Sequence, residues 1–191
     1  MLIALLTALF FLFADQITKF LVVSNMTLYQ TIPVIDGGLY LHYTLNSGAA
    51  FSMLQGQQWI FMIAASVASI AIIVYLANTK TPIHWMGLFA VGLILAGALG
   101  NLVDRLMHAK HEVIDFIFVN IKAINFDFAI FNVADSCVTV GAILLCVYIL
   151  FRHEKYVKKV RGEARQDEPA LAPQCGPEQA SEGSDGEQAQ G

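Results

Sequence analysis

Two aspartates, Asp115 in VIDF and Asp135 in FNVADS, stand just outside apolar runs of a chain otherwise poor in charge. A carboxylate at mid-bilayer depth costs roughly 2.5 to 3.5 kcal/mol on insertion scales, and such groups normally face a polar interior or a water-filled site. Chemistry or transport is therefore the reading to pursue. If the two side chains meet, they can divide acid and base work. At ~4 Å and an effective dielectric of ~20, like charges repel by about 4 kcal/mol. That repulsion keeps one carboxyl protonated, so that one group donates a proton while the other takes one from water. The apparent pKa values of such a dyad belong to the pair, and neither role is assigned to a residue.

The elements that must hold these residues are membrane helices. The chain is 57% hydrophobic and only 14% charged, with a mean hydropathy of +0.61, which is far from the balance of a soluble domain of this length. Four apolar stretches, near residues 2–23, 57–77, 84–104 and 133–151, each approach the ~20 residues needed to cross ~30 Å of hydrocarbon. Helices are expected because lipid offers the backbone no partners. The first stretch is not read as a cleaved signal: it has no basic n-region, and hydrophobicity resumes from Ile17 to Val23.

An even number of spans places both termini on one side. Arg152, Lys155, Lys158, Lys159, Arg161 and Arg165 follow the last span, so that side is expected to be cytoplasmic. The loop from Ser24 to Gly56 has no lysine or arginine, and that from Met107 to Phe131 has only Lys110 and Lys122. Both are expected across the membrane, with Asp115 and Asp135 at the outer face. The net charge of -4 hides a basic segment from Arg152 to Arg165 and an acidic one from Asp167 to Glu187. The first can lie against anionic lipid; the second, proline-containing and without aromatics, is expected to be disordered. Residues 1–160 are thus read as a membrane domain and 161–191 as an acidic cytoplasmic tail. Nucleic acid is not an indicated partner. Cys137 and Cys146 are nine residues apart, on opposite helix faces, and no disulfide is expected.

Several smaller patterns surround the aspartates. Asp15 and Lys19 share a helix face and can offset each other's cost; a packing pair is the favoured reading, and orientation of nearby loop backbone the alternative. Leu39, Leu41, Tyr43 and Leu45 alternate, which predicts short strands and a small sheet formed by the first outer loop. Gly92, Ala96 and Gly100 form a small-residue stripe along which another helix can approach. At its end come Asn101, Asp104 and Arg105, where Asp104 can pair with a cation and Arg105 can bond carbonyls or carboxylates. Asn132 can cap the fourth span, with Asp135 in its first turn. His108, His111 and Glu112 lack the order and spacing of HExxH, so no metal site is expected.

Taken in order, ADQITK (Ala14 to Lys19), NSGAAF (Asn46 to Phe51), GNLVDR (Gly100 to Arg105), VIDF and FNVADS on four spans resemble lipoprotein signal peptidase, the type II signal peptidase of bacteria. The resemblance covers roughly the first 150 residues. It implies a four-helix inner-membrane enzyme with a small extracytoplasmic sheet, which removes the signal peptide from diacylglyceryl-modified prolipoproteins by cleaving before the lipidated cysteine. It matches Asp115 and Asp135 to the catalytic dyad. It places Asp15, Lys19, Asn46, Gly48, Asn101, Asp104, Arg105, Asn132 and Ala134 at positions that support the site or bind substrate. It implies no metal or organic cofactor, and a monomer is expected in contact with membrane lipid. The rival reading is a proton-coupled transporter component, which would spread its acids through the depth of the bilayer.

Overall fold

The computed structural model describes residues 1–47, 57–80, 82–121 and 126–166. Four helices are long and apolar enough to cross a membrane: α1 (Leu2–Asn25), α2 (Gln58–Asn78), α3 (Trp85–Met107) and α4 (Val133–Phe151). Each falls within three residues of the stretch expected from hydropathy. Half of the most apolar stretch of α3 is buried inside the protein, against 28%, 11% and 22% for α1, α2 and α4. Hence α3 is the central helix, and the other three turn most of their apolar surface outward, as lipid permits.

Small residues make this packing possible. A Cβ on Gly92 would stand 2.6 Å from the carbonyl oxygen of Ala4, and one on Gly100 would stand 2.6 Å from Oδ2 of Asp15. The stripe that also contains the buried Ala96 is therefore the seam against α1. A Cβ on Gly97 would collide with Ala134 and Val138 of α4. With no hydrophobic drive between helices in lipid, van der Waals contact at such close approach is one source of cohesion.

Above one end of the bundle lies a four-stranded antiparallel sheet in the order β1 (Thr31–Ile35), β2 (Leu39–Asn46), β3 (Val113–Ile121), β4 (Phe126–Asp127). It extends beyond the loop between α1 and α2, since β3 and β4 come from the loop between α3 and α4. The reason is the pairing of β2 with β3, which places Thr44 opposite Asp115 and Asn46 opposite Val113. Pro33 lies on the edge strand β1, where a missing N–H is tolerated. Tyr43, Ile114 and Phe116 pack beneath the sheet with Val22 of α1 and Met26 just after it, joined by Leu41 and Leu45. The alternation seen in β2 is thus its buried face.

His108 and His111 finish α3. Their Nδ1 atoms lie 2.9 Å and 2.6 Å from the carbonyl oxygens of Asp104 and Arg105. A carbonyl only accepts, so both rings donate; His111 satisfies the Arg105 carbonyl near the helix C-terminus, and His108 adds to its own backbone amide's bond to the Asp104 carbonyl. A fifth helix, α5 (His153–Gln166), follows α4. It takes in the basic segment and the first six residues of the expected tail. The acidic stretch from Asp167 onward lies outside the described residues.

Candidate active site

The site is assembled where β3, α3 and α4 converge. On β3, Ile114 and Phe116 point into the core under the sheet. Alternation then turns Val113 and Asp115 to the opposite face, where both line a cavity of about 660 Å³. Phe131 is held to β3 by a bridge to Ile117: the amides of Phe116 and Ile117 donate to its carbonyl at 3.1 and 2.8 Å, and its own amide donates to the carbonyl of Ile117 at 3.0 Å. This short stitch fixes the start of α4 beside Asp115.

Asn132, immediately after it, is fully buried and joins the two aspartates. Its Nδ2 donates to Oδ1 of Asp115 at 2.7 Å, while its backbone amide donates to Oδ2 of Asp135 at 3.2 Å. Its Oδ1 accepts from the Asp135 amide at 2.9 Å, completing a capping box for α4. Asp115 also receives a bond from Nδ2 of Asn46 at 2.8 Å, and Asp135 one from Nδ2 of Asn101 at 2.7 Å. Each carboxylate is therefore gripped from its own flank, and both border the same cavity. Burial pushes the Asp115 carboxyl up to about 7, with the negative charge of Asp135 adding to the rise and the bonds from Asn46 and Asn132 opposing it.

Behind the pair is a second polar layer. Nζ of Lys19 lies 2.8 Å from Oδ2 of Asp15 and 2.8 Å from Oδ2 of Asp104, and it donates to Oδ1 of Asn101 at 3.1 Å. All three charged groups are at most 3% exposed. The bond from Lys19 has a consequence for Asn101. Its Oδ1, already accepting from Lys19 and from Nδ2 of Asn132 at 3.1 Å, cannot face Asp135, so its amide nitrogen must. Asp15 also accepts the backbone amide of Ala134 at 2.8 Å, and Asp104 that of Ile114 at 3.2 Å. The layer thus anchors the first turn of α4 and the start of β3 together.

Of the residues singled out in the sequence, Asp15, Lys19, Asn46, Asn101, Asp104, Arg105, Asp115, Asn132, Ala134 and Asp135 gather here; Gly48 lies outside the described residues. Ala134 contributes its amide and a small side chain facing Gly100. Arg105 lines the cavity, its guanidinium 5.3 Å from the centre of the Phe61 ring and its charge close to those of Asp135, Asp115 and Asp104. Two contributors were not read from sequence. Gln16 donates to Asp104 at 3.1 Å and to Asp15 at 3.2 Å; its place between Asp15 and Lys19 in ADQITK was the available signal. Phe61 carried none, since an aromatic in an apolar span is ordinary.

Nine further residues of the cavity wall, among them Phe128, Ile130, Val138 and Val140, are apolar or small. Two carboxylates cradled by amides beside an apolar recess, in a bundle of membrane helices, are an arrangement able to share one proton between acid and base roles. Residues 7–151 match the family described as Signal peptidase (SPase) II. The lipoprotein signal peptidase of Bacillus velezensis is 45% identical over 146 residues, covering 76% of this chain and 92% of that protein. The lipoprotein signal peptidase of Bacillus subtilis is 41% identical over 152 residues, covering 80% and 96%. A solved bacterial membrane enzyme superposes with a TM-score of 0.67 at 31% identity, over 88% of this chain and 93% of its own. A second gives 0.68 at 34% identity, over 78% and 93%. The chain belongs to the signal peptidase II family. It is accordingly an aspartic peptidase of the bacterial inner membrane.

Proposed function

We propose that Asp115 and Asp135 are the catalytic pair with which this enzyme cleaves diacylglyceryl-modified prolipoproteins before the lipidated cysteine. The observation that carries the assignment is the shared grip of Asn132 on both carboxylates at the cavity. With Asp115 pushed up to about 7, the pair holds one proton near neutral pH. The charged member takes a proton from a water, whose oxygen attacks the scissile carbonyl. The protonated member then gives its proton to the departing amide nitrogen of the cysteine. Asn46, Asn101 and Asn132 hold the two groups in register. Arg105 sits where it can bond a substrate carbonyl, and Lys19 sets the amide of Asn101.

The apolar wall suits a signal-peptide segment or acyl chains entering sideways from the bilayer. Phe131 belongs to that wall, whereas Ile114 and Phe116 serve the core. Basic residues after α4 assign both termini to the cytoplasm, which puts the carboxylates at the outer face, where a precursor exported from the cell presents its cleavage point. The peptidase unit is read as residues 1–160 acting as a monomer. A proton relay would need acids through the bilayer depth; Asp15, Asp104, Asp115 and Asp135 all converge at one end of the bundle.

The test is cleavage of a diacylglyceryl prolipoprotein by the purified chain in detergent, beside the same precursor without its lipid. Cleavage of the lipidated form alone is expected. Equal cleavage of both would overturn the substrate assignment, and cleavage of neither the activity.

A further inference from the structure

A second cavity lies at the other end of the bundle. Its volume is about 650 Å³, and it is lined by His84, Phe151, Arg152, Lys155, Tyr156, Lys159 and Val160. His84 precedes the first turn of α3 whereas Arg105 closes the last. At 1.5 Å per residue the two cavities are therefore about 30 Å apart, the full depth of the hydrocarbon. The peptidase chemistry makes no use of this one.

The way it is built points to a ligand. Lys155, Tyr156, Lys159 and Val160 are spaced as one helical face of α5 (His153–Gln166), and with Arg152 in the turn after α4 that face is folded toward the start of α3. The opposing wall is His84: its ring stacks on Tyr148 at 6.4 Å between centroids and meets Tyr156 of the α5 face edge-on at 5.1 Å, and its amide donates to the Tyr148 hydroxyl at 3.3 Å. Among the described residues the lining holds three cations and no acid. On another face of the same helix, Lys158 is paired with Glu154 at 3.7 Å. Lys158 is not part of the lining, whereas Arg152, Lys155 and Lys159 are.

We propose that this cavity binds the phosphate headgroup of an anionic phospholipid. A phosphate diester supplies negative charge and acceptor oxygens suited to a lining that carries Arg152, Lys155 and Lys159. The lipid source follows from the level at which the cavity sits. Leu150 and Phe151, 74% and 66% exposed, end the lipid-facing surface of α4 immediately before Arg152, and Trp85 at the start of α3 is 60% exposed. An exposed tryptophan and lysine stems at the end of an apolar surface mark the headgroup layer, and Phe151 gives an acyl chain its way out of the cavity. The site rests on helix ends and charge, independently of the peptidase assignment.

The experiment is native mass spectrometry of the full chain in detergent, titrated with phosphatidylglycerol, phosphatidylcholine or inorganic phosphate. Wild type is expected to retain phosphatidylglycerol in preference to phosphatidylcholine. A juxtamembrane cation contributes roughly a fivefold effect on affinity. Arg152→Gln/Lys155→Gln/Lys159→Gln should therefore weaken retention by about a hundredfold, Lys155→Gln alone by about fivefold, and Lys158→Gln by less than about twofold. Loss with Lys158→Gln equal to that with Lys155→Gln would overturn the site in favour of diffuse attraction. Equal retention of phosphatidylcholine would overturn the charge argument. Displacement of the lipid by equimolar inorganic phosphate would show a soluble-anion site and overturn the lipid source.

Discussion

Replacing Lys19 with methionine keeps most of the side-chain volume and removes one charge from the layer behind the dyad. Counted formally, Asp15, Asp104 and Lys19 sum to one negative charge; the substitution leaves two carboxylates facing each other with no cation between them. Breaking a buried pair by removing one partner costs about 3 to 5 kcal/mol, a large share of the ~5 to 15 kcal/mol by which a domain is stable. At about 2 to 4 °C per kcal/mol for a chain of this size, Lys19→Met should lower the thermal unfolding midpoint by about 6 to 20 °C. The companion Asp104→Asn leaves a neutral Lys19–Asp15 pair and should cost less, although the amide cannot accept from both Gln16 and Ile114 as the carboxylate does. The assay is thermal unfolding of the purified variants in one detergent, followed by intrinsic fluorescence. A midpoint shift below about 2 °C for Lys19→Met, or a larger loss for Asp104→Asn, would refute the charge-layer reasoning.

Two further outcomes follow from the site. Asn46→Ala removes a bond that favours the charged form of Asp115, so the carboxyl near 7 should rise further and the matching limb of kcat/KM against pH should move upward; a downward shift or none would contradict the assignment. Asn132→Ala removes the cap of α4 and the bond to Asp115, and should cost about 1 kcal/mol of stability together with roughly ten- to a hundredfold in kcat, read by unfolding and steady-state kinetics; an unchanged kcat would remove Asn132 from the positioning of the dyad.

What could be read from the sequence was whatever has a short-range rule. Helix length and apolarity located the four spans, because hydrocarbon thickness fixes both. The i, i+4 spacing paired Asp15 with Lys19, and the stripe from Gly92 to Gly100 announced a close helix seam. Asn132 as a cap followed from its position at the head of an apolar run. The extent of the sheet was less accessible. VIDFIFVNI reads as one more apolar run, and only pairing with β2 across a long separation makes it a strand with Asp115 on one face and Ile114 on the other. The stitch between Phe131 and Ile117 is likewise a backbone event without a side-chain signature. Lys19 reaching Asp104 and Asn101 depends on how closely α1 meets α3, which no local pattern encodes. The cationic face of α5 was visible as charge, but its closure against His84 through Tyr156 was not.

The most direct measurement is single-turnover cleavage of a diacylglyceryl prolipoprotein by Asp115→Asn and by Asp135→Asn, each verified as folded by its unfolding midpoint. Each amide lacks the proton chemistry of the carboxyl it replaces, and either substitution should slow cleavage by at least about a thousandfold. Cleavage within about tenfold of wild type by either variant would contradict the shared-proton mechanism.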